Sequence, residues 1–178
     1  QRDGLRNVLK NKDTQEVIVE TLENGVRFCM FPEGKHRTKH SLQVLGKGAF
    51  RAALAANEKF GSERPIYIVP VGIEYGDYFR YRSTSLVNYG NAINVTEFVK
   101  THDVENDVQI IEPLRKELTS RMSELMTFIS DDENYEAKWA LLKMLSIAGS
   151  KKGYGDFGTS LYQEMLDNRE IADGIEKA

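Results

Sequence analysis

Two short stretches of the sequence combine residue types that bind anions. The first is FPEG, residues 31–34, which runs directly into the basic cluster KHRTKH, residues 35–40. The second is GKG, residues 46–48, placed just before a run of helix-forming residues. Free backbone N–H groups, the helix dipole and a lysine at a helix start together favour a phosphate. The two stretches therefore predict a site for a phosphate or a similar oxyanion.

The FPEG stretch is expected to present a carboxylate at the end of a strand. Pro32 fixes one backbone torsion and Gly34 permits a conformation that other residues avoid, so Glu33 is held at a defined bend. In open α/β sheets the carboxyl ends of strands are where ligands bind. Arg37 and Lys47 would supply a bidentate fork and a point charge to one oxyanion. A solvated basic loop, with Glu33 in an ordinary salt bridge, is the alternative that spacing alone leaves open.

Composition limits the class of protein. The chain has 178 residues, of which 40% are hydrophobic and 29% charged, which is typical of one soluble globular domain. The net charge of −3 argues against a nucleic-acid partner. The single cysteine, Cys29, is predicted to be a small core residue, and one thiol builds no internal disulfide framework. The sequence contains no membrane-spanning apolar run and no cluster with metal-ligand spacing, so we predict no metal.

The elements that must position these residues alternate between helix and strand up to about residue 100. A helix is predicted to begin near Asp13 and to stop at Asn24-Gly25, followed by a short buried strand over 26–31. An alanine-rich helix from 49 closes at Phe60-Gly61. Two further strands are predicted over 65–75 and 84–95, where Pro70 marks a strand end or a bulge. This order predicts an α/β fold with a mostly parallel or mixed sheet.

The remainder of the chain is predicted to be helical. Helices are expected over 96–102, over 108–129, around Trp139 and from about Ser160, with a loop over 149–158. Their Met and Leu stripes are interpreted as packing faces, and a partner or membrane surface is the alternative. The predicted boundary divides the chain into segments 1–100 and 101–178.

Four blocks in this order resemble the glycerolipid acyltransferase family, typified by 1-acylglycerol-3-phosphate acyltransferases. The blocks are FCMFPEG, GKGAFRAA, IYIVPVGI and VNYGNAINV. The resemblance covers roughly residues 1–100 and implies part of a glycerol-3-phosphate acyltransferase-like core. Residues 101–178 would then form a helical C-terminal extension.

The resemblance also implies a site for the acyl acceptor, because individual positions of this sequence match site positions of the family. The residues implied to hold the phosphate-bearing acceptor are Arg2, Glu33, Gly34, Lys47 and Gly48. Pro70 falls in the segment associated with the acyl donor. The family usually has Thr-Arg after the glycine, whereas this chain has Lys-His-Arg over 35–37. Arg37, shifted by one position, or His36 takes that place.

The family's chemistry rests on a His-x4-Asp pair upstream of FPEG, in which the histidine is the general base and the aspartate orients it. That pair is expected upstream of Gln1, so we expect no catalytic residue in this chain and no activity from it alone. The spacing also occurs at His102 and Asp107. We reject that match because it follows the other blocks and lies in a polar stretch.

The function implied by the resemblance is acyl transfer in phospholipid biosynthesis. The donor would be acyl-CoA or acyl-carrier protein, the acceptor a lysophospholipid or glycerol-phosphate hydroxyl, and no cofactor is expected. Such a protein would work at the inner face of the cytoplasmic membrane as a peripheral, cytoplasmic protein. The alternative is a domain of the same fold that binds an anionic lipid or a protein without turnover.

Overall fold

The structure, a computed structural model, describes residues 14–35, 37–76, 81–102, 107–149 and 161–177. Helices in this part of the chain are α1 (14–23), α2 (Lys47–Phe60), α3 (Val95–His102), α4 (Asp107–Ser123), α5 (Tyr135–Gly149) and α6 (Leu161–Lys177). Strands are β1 (Tyr67–Ile68), β2 (Val71–Tyr75), β3 (Ser85–Tyr89) and β4 (Ile93–Asn94). The chain divides into two compact units, each assembled from three segments. They are Gln1–Lys35, Val44–Val69 and Ala92–Leu118 for the first unit, and His36–Gln43, Pro70–Asn91 and Thr119–Ala178 for the second.

The first unit is built around α2. This helix buries a side that is rich in alanine, with Phe50 and Phe60 as its large core residues. Alanine is the strongest helix former, and it lets neighbouring elements approach closely. The helix ends where the Gly61 N–H donates to the Asn57 carbonyl oxygen at 2.8 Å. The predicted end at Phe60-Gly61 is confirmed.

Thr96 at the start of α3 ties three elements of the first unit together. Its hydroxyl donates to Asn57 Oδ1 at 2.6 Å and accepts from the Ile66 N–H at 3.1 Å. The Val95 N–H in turn donates to the Ile66 carbonyl oxygen at 2.8 Å. These bonds satisfy backbone groups beside the short β1–β4 pair, which two residues on each strand form.

The second unit combines a β-hairpin with a pair of helices. Strands β2 and β3 pair along five residues each, from Val71 opposite Tyr89 to Tyr75 opposite Ser85. Helices α5 and α6 pack on each other around the buried side chains of Ile129, Tyr135, Leu142 and Ala172. Lys138 on α5 ties this cluster to its loop and to α6 through Asp132 at 2.7 Å and Glu176 at 3.0 Å.

The prediction of a mostly parallel or mixed sheet is wrong for the described strands. Both pairs, β1 with β4 and β2 with β3, are antiparallel. Only residues 76–84 connect β2 to β3, whereas a parallel crossover needs a dozen or more residues. The predicted break at Pro70 is confirmed, because β1 ends at Ile68 and β2 begins at Val71. The broad α/β class holds as a mixture of helices with small antiparallel sheets.

The predicted strand over 26–31 is also wrong. The segment is extended but pairs with no strand among the described residues, and its side chains are exposed. Phe31 is 77% exposed, and Cys29, predicted to lie in the core, is exposed as well. An alternation of apolar residues predicts burial only if a partner strand or layer covers one face, and the described residues supply none.

The predicted helices are largely confirmed. Helices α3, α5 and α6 occur where they were expected, and α1 in the first part of the chain stops before a turn at Asn24-Gly25. Helix α4 ends at Ser123 rather than at Ile129, and Ile129 is instead held by its N–H, which donates to the His40 carbonyl oxygen at 2.7 Å. The predicted loop over 149–158 lies outside the described residues, apart from Gly149 at the end of α5.

Candidate functional site

The FPEG stretch forms a tight turn in the first unit. The Gly34 N–H donates to the Phe31 carbonyl oxygen at 3.2 Å, and Gly34 has φ of +67°. That left-handed torsion strongly favours glycine, which explains why the turn carries one at this position. Pro32 supplies the fixed torsion on the other side, and Glu33 between them is half-buried. The predicted bend around Glu33 is therefore present.

One short hydrogen bond joins this turn to the start of α2. The Gly46 N–H donates to the Pro32 carbonyl oxygen at 2.7 Å. Gly46 is the N-cap of α2 and has an extended backbone, with φ of −64° and ψ of 148°. A Cβ atom at Gly46 would lie 3.2 Å from the same Pro32 oxygen, so the two backbone segments are in close contact. The turn and the helix start, thirteen positions apart in sequence, therefore lie side by side.

The start of α2 is electrostatically suited to an anion. Gly46, Lys47 and Gly48 are all exposed, and the first turn contains no acidic residue. The unsatisfied N–H groups and the dipole of a 14-residue helix point there, and Lys47 adds a full positive charge. A Cβ at Gly48 would be 3.9 Å from the Met30 methyl group, so the extended segment before the turn also borders this surface.

Arg37 belongs to the second unit, where its guanidinium has acceptors of its own. It forms an ion pair with Asp131, and its Nη2 donates to the Ser41 hydroxyl at 2.9 Å. Lys39 donates to the other Asp131 oxygen at 2.7 Å. A carboxylate 92 residues from Lys39 thus neutralises two cations of the basic cluster. Hydrogen bonds from Lys39 and Arg37 lower the pKa of Asp131, so this carboxyl is charged at neutral pH.

A second group of polar residues, not predicted as a site, lies in the same unit. The His40 ring stacks on Trp139 with 4.4 Å between centroids, and its Nδ1 lies 3.6 Å from Glu74 Oε1. The His40 N–H donates to the Tyr135 hydroxyl at 2.8 Å. Glu74 is a buried carboxyl residue that falls within a run of apolar residues in the sequence. Strand alternation was the available signal, since Glu74 shares a face of β2 with buried Gly72.

Burial sets the protonation of this second group. It lowers the pKa of His40, and the nearby Lys143 lowers it further. It raises the pKa of the Glu74 carboxyl, with a smaller contribution from Glu164, while contacts with Thr127 oppose the shift. The separation of 3.6 Å exceeds hydrogen-bond distance, so burial rather than mutual attraction governs both groups. His40 is therefore neutral at pH 7.

The structure brings together four of the six predicted acceptor-site residues. Glu33 and Gly34 lie in the turn, and Lys47 and Gly48 lie at the helix start bonded to it. Arg37 is placed in the second unit, and Arg2 lies outside the described residues. The rejected histidine, His102, ends α3 and stacks on Phe98 with 4.0 Å between ring centroids, while its Nδ1 lies 2.9 Å from the Phe98 carbonyl oxygen.

Residues 4–74 match the model of the Acyltransferase family. The matched segment contains the FPEG turn, all of α2, strand β1 and all of β2 except its last residue. This stretch is thus an acyltransferase-family segment, and acyl transfer is the class of reaction that it indicates. The predicted resemblance to glycerolipid acyltransferases is confirmed in these terms. No curated protein and no solved structure gives a significant match to the chain.

Among the residues that the structure describes, no helix has both the length and the apolar character of a membrane span. Within the same ranges, no group of three or more histidine, cysteine, aspartate or glutamate residues is arranged to hold a metal ion.

Proposed function

We propose that this chain supplies the acceptor-phosphate site of an enzyme that moves a fatty acyl group onto a lysophospholipid or glycerol-phosphate hydroxyl. The observation that carries the proposal is the 2.7 Å hydrogen bond from Gly46 to Pro32, which places the carboxylate-bearing turn beside the lysine-bearing helix start. Both parts fall within the segment that matches the acyltransferase family. Phospholipid biosynthesis is the process in which such a reaction operates.

The start of α2 is proposed to bind the acceptor phosphate. Backbone N–H groups of its first turn and the Lys47 ammonium would donate to phosphate oxygens, and Gly48 keeps the backbone accessible. Glu33 would orient the polar part of the acceptor from the adjacent turn. The family resemblance adds Arg2 and Arg37 to this site. For Arg37 the resemblance is the sole support, because its guanidinium pairs with Asp131 in the other unit.

The chemistry would be a simple acyl exchange. The acceptor hydroxyl oxygen attacks the thioester carbonyl of acyl-CoA or acyl-carrier protein, an ester bond forms, and the carbon–sulfur bond breaks. A general base takes the hydroxyl proton and returns it to the thiolate leaving group. The family resemblance assigns this base to the histidine of a His-x4-Asp pair upstream of the FPEG block. The residues described above contribute by positioning the acceptor, which can be worth several kcal/mol.

A lipid acceptor implies work at a membrane surface. We therefore propose a peripheral protein at the inner face of the cytoplasmic membrane, without a cofactor of its own. Basic residues near an anionic leaflet contribute about 1 kcal/mol each to such an association.

Calorimetric titration of the 178-residue chain with glycerol 3-phosphate tests the acceptor site. We expect Lys47→Ala to weaken binding about tenfold, because a charge-assisted hydrogen bond to phosphate is lost. Val44→Gln is the matched control, since Val44 is 80% exposed and lies two residues before the N-cap. Glycerol without the phosphate should not bind. Equal affinity in Lys47→Ala and the unmodified chain would exclude the helix start as the phosphate site.

Acyl transfer itself is tested with acyl-CoA and lysophosphatidate. We expect no transfer by the 178 residues alone, and transfer when the family's His-x4-Asp segment is joined to them. In that active protein, Glu33→Ala and Arg37→Ala should impair acceptor use more than thioester use. Phosphate binding without transfer in the joined protein would instead support the non-catalytic lipid- or protein-binding alternative.

A further inference from the structure

The side chain of Asp131 lies between two cations of the basic cluster. Its Oδ2 accepts a hydrogen bond from Arg37 Nη1, and its Oδ1 accepts one from Lys39 Nζ at 2.7 Å. The bond with Lys39 lowers the pKa of Asp131 and raises the pKa of Lys39, so both groups are charged at neutral pH. One negative charge thus faces two positive charges, and its two oxygens are divided between them.

Each cation is also held by a contact that does not involve Asp131. Arg37 Nη2 donates to the Ser41 hydroxyl at 2.9 Å, and Lys39 Nζ lies 4.5 Å from the centroid of the Tyr135 ring. All of these residues belong to the second unit. The two cations are therefore arranged around one anion position by groups other than the carboxylate that fills it.

The backbone of the loop that carries these cations is likewise fixed without Asp131. The His40 carbonyl oxygen accepts from the Ile129 N–H at 2.7 Å, and the His40 N–H donates to the Tyr135 hydroxyl at 2.8 Å. The His40 ring stacks on Trp139. The ion pairs themselves are partly exposed, and such pairs contribute little to stability. The loop thus has anchors that would remain when the carboxylate leaves.

Asp131 is the acid whose removal should expose the two cations most. Asp132, the next residue, pairs with Lys138 at 2.7 Å instead. Glu136 acts on Lys39 through its charge, and its effect on the pKa of Lys39 is smaller than the effect of the hydrogen bond from Asp131. A single side chain therefore decides whether Arg37 and Lys39 have an acidic partner.

The arrangement suits a phosphate better than it suits a carboxylate. Arginine binds two oxygens of a phosphate through its planar fork, and lysine adds a point charge. A phosphate monoester has three terminal oxygens and a charge of about −1.5 to −2 at pH 7, whereas Asp131 offers two oxygens and one charge. Arg37 and Lys39 lie in the segment that matches the acyltransferase family, and Asp131 lies outside it. The competing carboxylate is thus supplied by another part of the chain.

We propose that Asp131 is an internal competitor that occupies a phosphate-binding site in the second unit. The site itself consists of Arg37, Lys39 and the Ser41 hydroxyl. A phosphate monoester would displace the carboxylate and pair with both cations, so the chain beyond the family segment controls when the basic cluster is open to an anion. The inference goes beyond the proposed function, because it needs no acyl donor and no residue of the first unit. Only the assignment of that phosphate to an acyl acceptor would rest on the proposed function.

Calorimetric titration of the 178-residue chain with inorganic phosphate, at neutral pH and low salt, tests the proposal. Asp131→Asn keeps the shape of the side chain and removes its charge. We expect this variant to bind phosphate about tenfold more tightly than the unmodified chain, because no carboxylate competes for the cations. Adding Arg37→Ala to Asp131→Asn should abolish the gain. Unchanged phosphate affinity in Asp131→Asn would make the contact an ordinary structural ion pair and overturn the proposal.

The matched control is Glu133→Gln, which removes the same charge from an exposed residue two positions away. Equal gains in Glu133→Gln and Asp131→Asn would overturn the proposal, because net charge alone would then explain them. The gain from Asp131→Asn should persist when Lys47→Ala is added. Its loss in that background would place the added phosphate at the start of α2 and overturn this inference, whereas the effect of Lys47→Ala on the otherwise unmodified chain concerns the acceptor site alone.

A second measurement needs no substitution at position 131. The Arg37 Nε atom is buried and has no hydrogen-bond partner among the described residues, so its N–H signal in an NMR spectrum reports on the guanidinium. Phosphate should shift this signal in the unmodified chain, and Arg37→Lys identifies it by its disappearance. A larger shift with glycerol 3-phosphate at equal concentration would identify an organic phosphate as the ligand, and equal shifts the phosphate group alone. No shift with either would overturn the proposal.

Discussion

Two neighbouring parts of the sequence, the FPEG turn with the start of α2 and the basic cluster over 35–40, are held in place in different ways. The FPEG turn and the start of α2, in the first unit, are joined by backbone atoms within a sixteen-residue stretch, residues 31–46. Arg37 and Lys39, in the second unit, are held by the side chain of Asp131, more than ninety residues further along the chain. The first arrangement needs particular backbone torsions, and the second needs the whole unit to be folded.

This difference explains which cations are available for a ligand. Lys47 is exposed at a helix start with no acid in the first turn. Arg37 and Lys39 share a carboxylate, so an incoming phosphate would have to replace Asp131 as their partner. Lys47 at the helix start and the cations of the basic cluster therefore differ in what they can do. The lesson is that local backbone geometry, rather than the density of basic residues, identifies the candidate site.

The largest effect is expected where packing of the second unit leaves no room. A Cβ at Gly72 would lie 2.5 Å from the Leu125 carbonyl oxygen and 2.7 Å from its Cβ. Gly72→Ala should therefore lower the free energy of unfolding by about 3 kcal/mol, because backbone must move to relieve the overlap. Urea denaturation measures the loss. Gly174→Ala is the control, since nothing lies within 4 Å of its Cβ and α6 should gain slightly. Similar stability of the two variants would contradict the assigned packing.

A smaller effect is expected in the turn of the first unit. Nothing lies within 4 Å of a Cβ at Gly34, so Gly34→Ala meets no steric barrier. The left-handed φ of +67° is unfavourable for alanine, so we expect the free energy of unfolding to fall by about 1 kcal/mol in the same denaturation experiment. Gly34→Asn should cost less, because asparagine tolerates the left-handed region better than alanine. If alanine and asparagine are equally tolerated, the turn does not require the torsion observed.

The smallest effect is expected from protonation inside the second unit, and it depends on pH. Burial raises the pKa of Glu74 in the folded protein, so the folded state binds the proton more tightly than the unfolded one. The contribution of Glu74 to the free energy of unfolding is then lost as pH rises through its pKa in the folded state. That contribution is fully present below its pKa in the unfolded state. Glu74→Gln, which mimics the neutral form, should raise the free energy of unfolding at pH 8 and have little effect near pH 4.

The histidine beside Glu74 has the opposite sign and provides the control. Burial lowers the pKa of His40, so its contribution is present above the unfolded pKa and is lost as pH falls through the folded one. The free energy of unfolding of each variant, compared with that of the unmodified chain between pH 4 and pH 8, should therefore change in opposite directions. The gain from Glu74→Gln should grow toward high pH, and the gain from His40→Gln should grow toward low pH. A Glu74→Gln difference that grows toward low pH would show that the carboxyl is not destabilised by burial.

Features fixed by short stretches of chain could be predicted from the sequence. The alanine-rich α2 with its closing Gly61, the stop of α1 at Asn24-Gly25 and the break at Pro70 follow from propensity and backbone constraints of the residues themselves. The turn around Glu33 belongs to this class, because a proline and a glycine define it. Even its neighbour, the start of α2, was predictable as a helix start with a lysine.

Features that depend on partners far away in the sequence could not be predicted from it. The strands were found, but their antiparallel pairing is decided by which segments return beside each other, and alternation alone does not encode direction. The exposure of residues 26–31 reflects the lack of a covering layer among the described residues, which no local pattern reports. Asp131 lies too far from Arg37 in sequence to be recognised as its partner. Local torsions are set within a few residues, whereas burial, strand partners and ion pairs exist only once separate segments have packed.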